Sequence, residues 1–292
     1  MKNITMFLMT KKGYSVLKAI EPKFRNLISV VVIGRDAALD DDFSMRIVDL
    51  CIDLQLEYVF RESFAAVQTE FALAISWRWL IKHPANNLIV FHDSVLPSYR
   101  GFAPLVNSLI NGEPSIGVTA LFGALEYDRG DVICQSRVDV QYPVKIGDAI
   151  DLILPCYIEC VNYILRFLDS GEQLVTTPQS DEEATYSLWR DELDYRIDWS
   201  CSAIEISRFV DAVGSPYKGA SSLVDKKMVN ITNVQVVPDV KIINRPVGKV
   251  IFVHDGFPVV VCGVGLLKVL ECCYEGSKES ILPLSKFRAR FS

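Results

Sequence analysis

The stretch FHDSVLPSYRGFAP, residues 91–104, sets His92, Asp93 and Ser94 directly after an apolar run and turns away through Pro97, Arg100 and Gly101. An imidazole next to a carboxylate can move a proton near neutral pH, because the carboxylate orients the ring and favours its charged form. A second polar cluster, EYDRGD (126–131), offers such carboxylates in Asp128 and Asp131 around a glycine turn. Spacing leaves two readings open at each place. The histidine is either a packed core residue or the edge of a reaction site, and Asp-Gly turns are often purely structural. Position favours chemistry. His92 ends the apolar run that begins at Leu88, and open α/β sheets collect reactive groups beyond the carboxyl ends of their strands. Pro97 fixes φ there, and Gly101 allows a second turn.

The elements that must hold these residues alternate. Strand-like runs ITMFLM (4–9), ISVVVIG (28–34), EYVF (57–60), FALAIS (71–76) and NLIVFH (87–92) are interleaved with helical spacing over 13–20 and 42–54. Continuous Val/Ile/Leu strands between helices predict a doubly wound, mostly parallel sheet covered on both faces. The strand VICQSRVDV follows the EYDRGD turn, and a long apolar helix starts at Ile146. That helix carries Asp151, Glu159, Asn162, Arg166 and Pro155, which reads as a buried, kinked helix rather than a membrane span.

Residues 169–183 hold five acids and no base, reading as a solvated connector or a plain surface loop. An amphipathic helix is predicted within 197–213, with Ser202 and Glu205 as a capping box or Ser200 as the cap instead. ASSLV–DKK–MVNITNVQVV and KVIFV–HDGF–PVVVCG read as hairpins. The whole predicts an N-terminal α/β domain over 1–170, an acidic connector over 171–188 and a smaller β-rich, barrel-like domain over 189–292.

Composition sets limits. Of 292 residues half are hydrophobic and 23% charged, with a formal net charge of −6. A large core is available, and a protein built mainly to grip phosphates is disfavoured. Eight cysteines without C-x-x-C and three histidines argue against zinc; the cysteines sit in apolar runs as small hydrophobes, consistent with a reducing cytoplasm. The N-terminus lacks a signal-peptide pattern. No G-x-G-x-x-G follows the first strand and no P-loop occurs, so dinucleotide and NTP readings lose their phosphate cradle. The basic tail KFRARF reads as a nucleic-acid or membrane patch, or as a solvated end.

HDSVLPSYRG, the Gly117-Val118-Thr119 strand and Asp128-Arg129-Gly130-Asp131, in this order and spacing, resemble the folate-dependent formyltransferases. RIDWSCSAIEISRFVDAVGSPYKGA (196–220) is similar to the C-terminal domain shared by the tRNA and sugar-nucleotide branches, and HDS with YRGFAP looks closest to the sugar-nucleotide N-formyltransferases. The resemblance implies attack of a primary amine on the formyl carbon of N10-formyltetrahydrofolate, through an intermediate bearing an oxyanion. His92 and Asp128 would be catalytic. Folate would sit near Ser76, Trp77, Arg78, Trp79 and Leu80 and near Tyr127 and Asp128, although each tryptophan also reads as packing. Ser94, Arg100 and Gly101 would face the acceptor, with Arg100 also readable as a salt-bridged loop residue. A nucleotide-linked amino sugar destined for surface polysaccharide is the implied acceptor and a homodimer the implied assembly. Methionyl-tRNA, water, or binding without chemistry are the alternatives.

One departure matters. The family usually carries Asn two residues before the histidine, as a donor to the oxyanion; here Val90 stands there. Loss of one such donor costs about 10²–10³ in rate in other enzymes. Asn87, five residues before His92, lies roughly 16 Å away on an extended strand and is a poor substitute.

Overall fold

The computed structural model describes residues 3–292 apart from Asp40 and Lys278. In chain order the elements are β1 (Ile4–Leu8), α1 (Thr10–Ala19), β2 (Ile28–Ile33), α2 (Ser44–Asp53), β3 (Tyr58–Phe60), β4 (Phe71–Ile75), β5 (Leu88–His92), β6 (Arg100–Gly101), α3 (Pro104–Asn111), β7 (Ser115–Phe122), β8 (Val132–Asp139), α4 (Ile146–Ser170) and β9 (Tyr186–Ser187). There follow α5 (Ala203–Ala212), β10 (Ala220–Val224), β11 (Lys227–Val237), β12 (Val250–His254), β13 (Phe257–Val261) and β14 (Leu266–Tyr274).

The chain forms two compact units. The first comprises residues 1–105, 114–140 and 150–188; the second comprises 106–113, 141–149 and 189–292.

The first unit is built on a seven-stranded sheet in the order β3-β2-β1-β4-β5-β7-β8. Strands β1 to β5 run parallel, and β7 and β8 are antiparallel. The apolar runs read as buried strands are buried: every residue of β1 is, as are four of five in β4. The order reverses between β1 and β4, the topological switch point where such sheets bind ligands. At that point Thr10 and Ser76 both adopt left-handed backbones, and the Thr10 hydroxyl donates to Ser76 Oγ at 3.0 Å.

Helix α4 is amphipathic, not apolar all round. Ile146, Ala149, Ile150, Ile153, Cys156, Tyr157, Cys160, Val161, Ile164 and Leu165 are buried at helical spacing while Asp151 and Glu159 face out, with Pro155 inside the helix. Among the described residues no helix is long and apolar enough to cross a membrane.

The second unit holds a five-stranded antiparallel sheet, β10-β11-β14-β13-β12. The C-terminal tail joins its two edges. Phe291 bridges to Val224, the last residue of β10, and Arg290 to Lys249 just before β12. Phe291 is buried against Trp199 at 5.5 Å and Ala289 is buried too. The end of the KFRARF segment is therefore anchored through Ala289 and Phe291, while Lys286, Phe287, Arg288 and Arg290 remain exposed. Helix α5 begins at Ser202, whose side chain and Glu205 form the capping box reciprocally; Ser200 instead bonds Asp198.

Candidate active site

His92 is the last residue of β5, registered beside Ile75's strand through Phe91 and opposite Thr119 of β7. Its ring is buried, with 8% of the side chain exposed. Nε2 lies 2.8 Å from the Tyr99 carbonyl, and Nδ1 lies 3.4 Å from Asp128 Oδ1. A carbonyl only accepts, so Nε2 carries a proton. With Nδ1 facing a carboxylate, only the doubly protonated ring can donate on both sides. Asp128 Oδ2 is held by the Gly101 N–H at 2.9 Å. One carboxylate oxygen is thus anchored and the other faces His92. The two loops singled out in the sequence meet at this point.

Local structure explains how. Asp128 sits at φ 54° and Tyr99 at φ 61°, left-handed conformations that cost a non-glycine residue about 1–2 kcal/mol each. Gly101 has φ +105°, and a Cβ there would lie 2.5 Å from the Ser187 carbonyl oxygen; one at Gly130 would lie 1.8 Å from that of Phe122. Both positions require glycine. Ser94 turns inward, donating to the Ser98 carbonyl at 2.6 Å, and its own carbonyl accepts from Thr119 Oγ1 at 2.7 Å. Gln135 then clasps the Leu96 carbonyl at 2.7 Å.

The remaining candidate residues fall into three groups. Ser76 lies at the switch point. Trp77 packs in the apolar cluster of Phe7, Val32, Ala72 and Ala74, together with Val90 and Ile81, and its Nε1–H is buried without a partner. Trp79 stands edge-on to Trp77 at 5.0 Å and carries the guanidinium groups of Arg61 and Arg78 at 4.3 and 5.1 Å. Arg78 pairs with Asp36 at 2.9 Å, and Leu80 is 90% exposed. Tyr127 is 75% exposed and inclined to the exposed Phe102 ring at 5.6 Å, so an aromatic pair flanks the Gly101–Asp128 hydrogen bond. Arg100, in contrast, is 1% exposed and directed into the protein, donating to Gln179 Oε1 (3.0 Å), Asp181 Oδ1 (2.7 Å) and Tyr186 OH (3.3 Å).

Those partners are what sequence reasoning missed. The acidic segment is not free chain but a strap over the two loops that carry His92 and Asp128. Thr185 Oγ1 accepts from the Tyr99 N–H at 2.8 Å, and the Thr185 carbonyl from the Arg100 N–H at 2.8 Å. Strand β9 pairs with β6. Gln179 Nε2 donates to the carbonyls of Asp128 and Gly130, at 2.7 Å each. Asp181 takes both Arg100 and Arg129, whose hydrogen bonds hold its carboxyl below the usual range. Among the described residues Asp181 is the member of the acidic run that meets arginines, and nothing in the run's composition signals it.

Residues 62–148 match the formyl transferase domain and residues 191–284 the formyl transferase C-terminal domain. The chain belongs to the formyl transferase family. Both members of the His92–Asp128 pair lie inside the first formyl transferase match, and the tail clasp lies just beyond the second. The chain is 31% identical over 196 residues to a methionyl-tRNA formyltransferase of Caldanaerobacter subterraneus subsp. tengcongensis, covering 67% of this chain and 62% of that relative's length. In fold it resembles WlaRD, a sugar 3N-formyl transferase solved with dTDP and 5-N-formyl-THF (TM-score 0.71, 15% identity, 98% of this chain and 99% of that one). A methionyl-tRNA formyltransferase from Clostridium thermocellum superposes less completely (TM-score 0.53, 20% identity, 81% and 94%).

Proposed function

We propose that the chain transfers the formyl group of N10-formyltetrahydrofolate to the primary amine of a nucleotide-linked amino sugar. The approach of His92 to Asp128, at 3.4 Å across two loops far apart in sequence, carries this reading. The amine attacks in its neutral form. As negative charge develops on the formyl oxygen, the His92 Nδ1–H is the donor that can turn to it, because Nε2–H is committed to Tyr99. Asp128 Oδ1 accepts the proton leaving the amine, while Oδ2 stays on Gly101; collapse of the intermediate then breaks the bond between the formyl carbon and N10, and the same proton passes to N10 as tetrahydrofolate leaves. Arg100 acts through the loop, as a positioning residue rather than a substrate contact.

The residues fit a flat, polar donor. Trp77 offers a buried N–H without a partner, and Phe102 with Tyr127 offer aromatic surface beside Asp128. The sugar reading is supported by the near-complete likeness in fold to the sugar 3N-formyl transferase and by the acidic strap; a tRNA ligand calls for clustered Lys and Arg. Methionyl-tRNA is the second reading, favoured by the sequence relative. We place the reaction in the cytoplasm, in keeping with eight cysteines that are all free thiols, and propose a homodimer, testable by sizing in solution.

The test mixes pure protein with 10-formyltetrahydrofolate and a panel of amino-sugar nucleotides or charged initiator tRNA, and follows tetrahydrofolate release. Release that needs a sugar nucleotide supports the proposal, and release that needs tRNA supports the second reading. Release without acceptor means hydrolysis, and binding without release means a pseudoenzyme; either overturns it.

A further inference from the structure

A second polar cluster lies on the other face of β5. Residues alternate along a strand, so His92 and Val90 share one face and Phe91 points to the opposite one; Asp93, just past the strand, meets the same Tyr157 as Phe91 does. There the Asp93 carboxylate is gripped by the Lys12 ammonium and by the Tyr157 hydroxyl. The side chains of Lys12 and Asp93 are only 9% and 17% exposed, and Tyr157 is 1% exposed. The Tyr157 ring also stacks on Phe91 at 6.0 Å. The residues on either side of His92 are therefore both fixed by Tyr157 of α4, one through its ring and one through its hydroxyl. Lys12 belongs to the first turn of α1, two residues after the left-handed Thr10 that bonds Ser76 at the switch point.

A buried ion pair is weak evidence for stability, since two well-packed apolar residues often serve as well. Asp93 is not needed to close the turn, which Ser94, Thr119 and Gln135 already do. A fixed backbone at the catalytic histidine is what the cluster supplies. We propose that Lys12 and Tyr157 are positioning residues of the transfer site. Acting through Asp93, they lock the His92 backbone to α1 and α4, so that the imidazole stays aimed at Asp128 while the Thr10–Ser76 edge of the ligand crevice keeps its register. The activity part of this inference rests on the proposed transfer reaction; the placement of the ring does not.

The test uses Tyr157→Phe, and Lys12→Met combined with Asp93→Asn. The double variant removes both charges together, because either single change leaves an unpaired buried charge and risks unfolding. Both proteins are expected to fold, with melting points close to the parent. Turnover of the formyl donor is expected to fall about tenfold or more, the scale of one charge-assisted hydrogen bond, with KM changed less than twofold. The chain has three histidines, so proton–nitrogen spectra of the imidazoles are simple to assign, and the His92 signals should move in both variants while those of His83 and His254 stay. Full turnover with unmoved His92 signals in folded variants overturns the proposal, as does lost turnover with unmoved signals. A parent protein without transfer activity defeats the functional reading, and the His92 spectra still decide the positioning claim.

Discussion

Val90→Asn is the most informative perturbation. Val90 lies on the same face of β5 as His92, about 6.6 Å along the strand, between Ala74 of β4 and Leu121 of β7. It contributes methyl groups to the cluster that holds Trp77 and Ile81. In the family this position normally carries an amide donor for the oxyanion. Here the His92 ring nitrogen left to face the site is Nδ1, which lies 3.4 Å from Asp128. One preorganised donor is worth about 10²–10³ in rate, or about 3–4 kcal/mol. An asparagine introduced into a site shaped around valine will not recover all of that, so the expected gain in kcat is at least about tenfold, with KM for the donor little changed. Stability should move the other way. Burying part of an amide among apolar neighbours and losing valine contacts costs about 2–3 kcal/mol. The assay is tetrahydrofolate release under single turnover beside thermal unfolding. Val90→Thr keeps the branched shape and adds a hydroxyl, so it should give a smaller gain at lower cost; Val90→Leu adds no donor and should give none. If Val90→Asn folds and its kcat is unchanged or lower, the oxyanion is already satisfied and the valine is no deficit.

Three further outcomes follow from the geometry. Gln179→Leu removes three hydrogen bonds at once, two to the carbonyls flanking Arg129 and one from buried Arg100; kcat should fall about 10–100-fold as Asp128 loses its placement, and retention within twofold in steady-state assays would show that the strap does not position it. Asp211 is pushed up to about 6 by burial, against its ordinary 3.8, with Lys145 opposing and Asp148 adding. The folded chain then holds this proton more tightly than the unfolded one, so its contribution to stability is complete below about pH 4 and is lost as pH rises to about 6. Asp211→Asn should therefore match the parent in urea melts near pH 4 and exceed it by about 1 kcal/mol above pH 6, a figure reduced for partial exposure. Phe291→Ala should destabilise the C-terminal unit by about 3–5 kcal/mol in the same melts, because Phe291 is buried against Trp199 and closes the sheet edges.

Much of the scaffold was legible because its signals are local. Strands β1, β2, β4 and β5 were found within a residue or so of their ends, since runs such as ISVVVI have no other stable use than a doubly covered strand. The capping box at Ser202 was likewise a matter of three residues. His92 and Asp128 were found from their loops and their resemblance to a family, not from any feature that predicts their separation. What was not legible depends on partners far along the chain. Arg100 reads either as a cation for the acceptor or as a salt-bridged loop residue, and the partners that decide for the second, Gln179 and Asp181, lie 79 and 81 residues away. The strap is largely exposed, as an acidic connector should be, but composition cannot show that Gln179, Asp181 and Thr185 bond the two loops. The cations of the tail are exposed, as a basic end implies, but the arginines conceal that Ala289 and Phe291 are buried.

Backbone strain connects these omissions. Thr10, Ser76, Tyr99 and Asp128 all have φ between 54° and 61°, and none of them is glycine. At Asp128 the proposed reaction supplies a reason, since the carboxylate that would take the amine's proton sits on that turn. A left-handed aspartate held by nothing would relax to an ordinary φ and swing its carboxylate away from His92. What opposes that relaxation is the Gly101 N–H on Oδ2 and the Gln179 amide on the carbonyl. Tyr99, whose carbonyl fixes the His92 ring, is held in the same way by Thr185. Both strained residues are thus stabilised by a segment more than 50 residues downstream of Asp128, so the His92–Asp128 arrangement belongs to the strap as much as to the two loops. A cut within residues 179–185 should accordingly abolish transfer while β1 to β5, which make no use of the strap's hydrogen bonds, keep their slow amide exchange. Activity surviving such a cut would mean that the loops hold their strained turns unaided.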